Sequence, residues 1–76
     1  MPNDRVKIYV RLLDEATEVS RPTEALDLGS GFFNILPTEH YDPNDEKWEF
    51  PPGSIVRGKR IEGNEGSYLM ASSSAA

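Results

Sequence analysis

The densest set of ligating side chains is the run His40-Tyr41-Asp42-Pro43-Asn44-Asp45-Glu46, in which Asp42, Asn44, Asp45 and Glu46 all offer side-chain oxygens. Oxygen-rich loops of this kind can hold a hard cation such as calcium. The spacing argues against it. Counted from Asp42, the sixth position of an EF-hand loop would be Lys47 instead of glycine and the twelfth would be Gly53 instead of glutamate. Asp42 before Pro43 instead starts a turn that Asn44 and Asp45 can cap through nearby backbone N–H groups. No metal and no cofactor is therefore expected.

Catalytic constellations are equally thin. His40 is the single histidine, and no motif ties a nucleophile or second base to it. Ser20, Ser30, Ser54, Ser67 and Ser72 to Ser74 lack a nucleophile-elbow context, and Gly29-Ser30-Gly31 is too short to cradle phosphates. Carboxylate pairs such as Asp14 with Glu15, or Glu46 with Glu49, need a pocket to perturb them before they can do acid and base work. The chain is expected not to be an enzyme.

Two groups of side chains remain as candidate binding surfaces. Tyr41, Trp48 and Phe50 gather with Pro37, Pro43, Pro51 and Pro52 around the acidic loop, edged by Asp42, Asp45, Glu46 and Glu49. Aromatic rings beside carboxylates suit a proline-rich or basic peptide, because flat rings stack on a polyproline helix and carboxylates pair with arginine. The same patch could serve a homodimer, or Trp48 and Phe50 could simply close the open end of a small core. The second group is basic. Arg11, Arg57, Lys59 and Arg60, with Arg5 and Lys7, would form a nucleic-acid face beside Tyr9 if their two strands lay side by side. A net charge of −5 gives no long-range attraction to phosphates and disfavours that alternative. The expected partner is thus a protein or peptide, bound by a non-enzymatic adaptor module.

These surfaces must be positioned by one small domain. Only 76 residues are present, 37% of them hydrophobic and none of them cysteine, which excludes disulfides, thiolate metal sites and a second core. No apolar run approaches the roughly 20 residues that cross a bilayer, and MPNDRVKIY carries charges where a signal peptide would be apolar, so a cytoplasmic setting without membrane contact is expected.

Val6 to Leu13 alternates Val6, Ile8, Val10 and Leu12 with Lys7, Tyr9 and Arg11, the clearest strand signal in the chain. Asp14 to Ala16 reads as a tight connection. A second strand follows between Thr17 and Leu28, with Pro22 placed at an edge or bulge, and a short helix over Arg21 to Leu28 is its competitor. Further strands are expected at Phe32–Pro37, Lys47–Phe50, Ile55–Ile61 and Ser67–Ser72, punctuated by turns at Gly29–Gly31, Pro51–Gly53 and Gly63–Gly66. Short strands leave sticky edges, and closing the sheet removes them. The expectation is an all-β, SH3-like half-open barrel of five to six strands spanning residues 1–72, with 73–76 as a disordered tail. An antiparallel sheet with one short helix is the alternative. The expected core is Val6, Ile8, Val10, Leu12, Val19, Ala25, Phe33, Ile35, Val56 and Leu69.

The segments Ile8-Tyr-Val-Arg-Leu-Leu-Asp-Glu15, Val19-Ser-Arg-Pro-Thr-Glu-Ala25 and Trp48-Glu-Phe-Pro-Pro-Gly-Ser-Ile-Val-Arg57 resemble a group of small bacterial proteins with no defined function. The similarity runs from about Val6 to Ala71. That group often has glycine where this chain has Ala16 and an aromatic where it has Ser20. The resemblance implies an accessory role of the kind encoded on mobile gene elements, and no activity.

Overall fold

A computed structural model describes residues 4–13 and 19–75. Asp14 to Glu18, which include the expected tight connection and the start of the second strand, lie outside the described residues, as does Ala76. Six strands form: β1 (Arg5–Leu13), β2 (Ser20–Gly29), β3 (Phe32–Ile35), β4 (Lys47–Trp48), β5 (Ile55–Gly63) and β6 (Gly66–Ser74). No helix forms among the described residues, so the strand reading of Arg21 to Leu28 holds over its helical competitor.

The strands hydrogen-bond in the order β2-β3-β5-β6-β1-β4, and β2 also pairs with β1. The ring therefore closes, and the protein is a small all-β barrel. Alternation along β1 explains how the ring finds its inside. Ile8, Val10 and Leu12 are buried, while Lys7, Tyr9 and Arg11 face out. Across the ring, Ala25, Phe33, Ile35, Trp48, Val56 and Ala71 complete the core, with Val6 and Leu69 packed against it.

The register shows how Pro22 is tolerated in a paired strand. Backbone bonds Leu12 N–H to Val19 O (2.8 Å) and Asp27 N–H to Asp4 O (2.9 Å) assign the even residues of β1 to the β2 ladder. Tyr9 and Pro22 are consequently a non-hydrogen-bonded pair, and the proline nitrogen turns away from β1. On its other side β3 has already ended: Leu36 N–H reaches Glu24 O (2.9 Å), short of Pro22. Buried Thr23 is satisfied by donating its hydroxyl to Leu36 O at 2.7 Å.

The turn between β2 and β3 pairs Gly29 with Phe32 across Ser30 and Gly31, whose φ values are 57° and 86°. Positive φ at both central residues gives the twist that a two-residue hairpin wants.

Three expectations change. Val19 is 37% exposed and is not core: it precedes the first residue of β2 at the very end of the paired segment, where its carbonyl still accepts from Leu12 N–H but its side chain stays largely uncovered. Trp48 joins the core instead. The tail is ordered further than its composition suggested: Val56 pairs with Ser74, Arg57 with Ser73, and Ala75 N–H donates to Ile55 O at 2.9 Å. Strand pairing asks only for backbone groups, so small polar side chains are enough when a partner strand runs alongside.

Candidate functional site

Trp48 is held by one of the shortest strands in the fold. Its pairing with Leu12 places both side chains on the inner face of β1, and Glu49 N–H anchors the segment to Arg11 O at 2.9 Å. Only 5% of Trp48 is exposed. Tyr41 meets it edge to face with centroids 4.7 Å apart, and Phe50 packs against the same cluster. These aromatics pack into and against the core, and a ring this deeply buried offers a partner almost no area, so Trp48 belongs to the core and not to the contact surface its sequence neighbourhood suggested.

The acidic rim divides in the same way. Glu46 is structural: its carboxylate accepts from the Trp48 indole N–H at 3.0 Å and from the Arg21 guanidinium on β2. These bonds tie the loop after β3 to the barrel wall. Asp42 is the hinge of its turn, accepting from Asn44 N–H at 2.8 Å through its side chain, while its carbonyl accepts from Asp45 and Glu46 N–H at 3.0 Å each. Asp45 and Glu49 are exposed. Among the described residues, no three His, Cys, Asp or Glu side chains come together as a metal-binding group would.

The Arg21 bond, the Trp48 bond and the Arg21 charge outweigh desolvation and hold the Glu46 carboxyl below its ordinary value of 4.5. A folded-state value below the unfolded one gives stability that is present above pH 4.5 and is lost as pH falls through the folded value. Glu46→Gln should flatten this part of the acid limb of a stability-versus-pH curve. At neutral pH it should cost about 1 kcal/mol or less, since water screens a pair whose arginine side chain is 43% exposed. Urea melts between pH 3 and 7 check both, and unchanged acid sensitivity in the variant would deny Glu46 this role.

The basic residues do not form one stripe. β6 lies between β1 and β5, so the strands carrying Arg11 and Arg60 are not neighbours. Along β5, Lys59 is in register with Met70 and Tyr9 on the outer face, whereas Arg60 shares the inner face with Leu69 at the barrel mouth. Arg57 lies over the Phe32 ring, 4.8 Å from its centroid. Arg11 sits outward on β1 opposite Ser20.

What the register does assemble is an aromatic pair on the outer face. Tyr9 of β1 and Tyr68 of β6 meet edge to face at 5.2 Å, and the Lys7 ammonium stands 5.4 Å from the Tyr9 centroid. Tyr68 is 37% exposed. The pair borders a cleft of about 520 Å³ whose walls include Val6, Phe33 and Leu69, with Lys7, Arg60 and Asp27 around them. Sequence reading singled out Tyr9 but missed Tyr68. Its available signal was the alternation that sets Tyr68 and Met70 opposite the inward Leu69 and Ala71.

Comparison with protein-family models, curated proteins and solved structures finds no significant match to this chain. No helix among the described residues is long and apolar enough to cross a membrane.

Proposed function

We propose that this barrel is a non-enzymatic module that binds an extended protein segment on the face carrying Tyr9 and Tyr68. One observation supports the reading above others. Two large aromatic side chains are placed together outside the core, on the opposite side of the sheet from the residues that hold the barrel together. Tyrosine offers broad apolar area at low entropy cost together with a hydrogen-bonding tip, which is what protein contact sites favour.

The nucleic-acid reading draws on Lys7, Lys59 and the same rings, a combination that also suits stacked bases. It has to work against the charge of −5.

A titration separates the two. Isotope-labelled protein is mixed with short peptides, acidic, basic and proline-rich, and with oligothymidylate. The expected result is that a peptide moves the Tyr9, Tyr68 and Met70 resonances. Tyr68→Ala should then lose the interaction while its melting temperature stays close to that of the parent, because the ring lies outside the core. Salt-sensitive shifts with oligothymidylate alone would favour the nucleic-acid reading.

A further inference from the structure

The face proposed above borders the weakest seam of the ring. On its β2 side, β1 is paired at seven successive residues, Arg5 to Arg11, but on the β6 side the register holds one pair, Tyr9 with Met70. Even residues of β1 bond to β2, so the N–H and C=O of Arg5, Lys7, Tyr9 and Arg11 point toward the opposite edge. At Arg11 that edge is used, because its carbonyl accepts from Glu49 N–H. At Tyr9 it is used by β6. Among the described residues, the strand pairing assigns no partner on this side to Arg5 or Lys7.

The two strands run parallel, so the unpaired lengths lie at the same end. β6 approaches from Gly66 with Ser67, Tyr68 and Leu69, and between it and β1 lies the cleft that Val6, Phe33 and Leu69 line. Unpaired strand edge beside an apolar floor is what an added strand needs: main-chain bonds for affinity and alternate side-chain pockets for selectivity. The cations of this cleft are Lys7 and Arg60, and its one acid, Asp27, already accepts from Gly29 N–H at 2.9 Å. The cleft is thus locally cationic on an acidic protein.

Resting on the binding reading above, we infer that the cleft between β1 and β6 takes up an acidic, extended segment of a partner protein. That segment adds a strand to the Arg5–Lys7 edge, seats apolar side chains on Val6, Phe33 and Leu69, and presents carboxylates to Lys7 and Arg60.

The test uses terminally blocked peptides of alternating valine and glutamate, the matching valine and lysine peptide, and oligothymidylate, each followed by fluorescence anisotropy. The glutamate peptide should bind, and methylation of its alternate backbone amides should abolish binding. The double charge reversal Lys7→Glu with Arg60→Glu should weaken it at least about tenfold and shift preference to the lysine peptide, because like charges brought together oppose docking. Both side chains lie outside the core, and an unchanged melting temperature establishes that the variant is folded.

If the lysine peptide binds the parent protein as well as the glutamate peptide does, or if the double reversal changes nothing, the inference fails. The broader reading then survives provided that Tyr68→Ala still abolishes binding. Failure of every peptide, or displacement of the peptide by oligothymidylate, would overturn both.

Discussion

Trp48→Ala should unfold the protein or come close to it. A buried tryptophan cut back to alanine costs about 3–5 kcal/mol. A domain of this length has about 4–11 kcal/mol in total. The cost falls at the upper part of that range because three things go at once: the ring's place between Leu12 and the rest of the core, the edge-to-face contact with Tyr41, and the indole donor that Glu46 accepts. The carboxylate would keep Arg21 but lose its second donor. Trp48→Phe should recover most of the packing and lose the hydrogen bond, about 1 kcal/mol. Urea denaturation followed by dichroism ranks the three proteins. An alanine variant as stable as the parent would return Trp48 to the surface.

The second large effect is expected at Gly58, for the opposite reason. Gly58 faces the barrel interior opposite Ala71, beside the bulge at Arg57, and a Cβ built there would stand 2.6 Å from Phe33 Cε2 and 2.9 Å from Leu69 Cδ1. Its φ is not in the left-handed region, so the demand is for space and not for backbone freedom. Gly58→Val must push the Phe33 ring out of a tightly packed site, which costs about 1–3 kcal/mol in overpacked cores. If crowding against that ring is the cause, trimming it in the same molecule should return part of the loss. Gly58→Val with Phe33→Leu should then be less destabilised than the sum of the single changes, a coupling that a double-mutant cycle in urea measures. Strict additivity would mean that the two residues do not meet.

These two positions also mark what a linear sequence reveals. β1 was legible because its two faces differ so sharply: Ile8, Val10 and Leu12 have no polar alternative, so one register is strongly preferred. Turns at Gly29–Gly31 and Gly63–Gly66 were legible because glycine at these spacings signals conformations that other residues avoid.

Trp48 was ambiguous because an aromatic among prolines and acids suits a groove and a plug equally well. Only the pairing of Lys47 and Trp48 with Leu13 and Leu12 decides which. Glu46 was grouped with Asp45 and Glu49 as rim charge, yet its partner Arg21 comes from β2, and no local rule connects them. The Tyr9–Tyr68 pair depends on a parallel contact between strands from opposite ends of the chain. Periodicity assigns each tyrosine a face, but it cannot say which strands become neighbours.

Splitting of the basic residues has the same origin. Lys59 and Arg60 are adjacent in sequence and so fall on opposite faces of β5, and β6 intervenes before β1 is reached. A cluster of cations along the chain thereby becomes one cation outside and another at the mouth.

The half-open seam is the feature on which the proposed binding depends, and native-state amide hydrogen exchange tests it most directly. Ile8 N–H lies in the β2 ladder, whereas Lys7 N–H faces the β6 side, where the register assigns it no pair. Exchange at Lys7 should be faster than at Ile8 by orders of magnitude in the free protein. Equal protection of the two amides would mean that the seam is zipped shut and has no room for a guest strand.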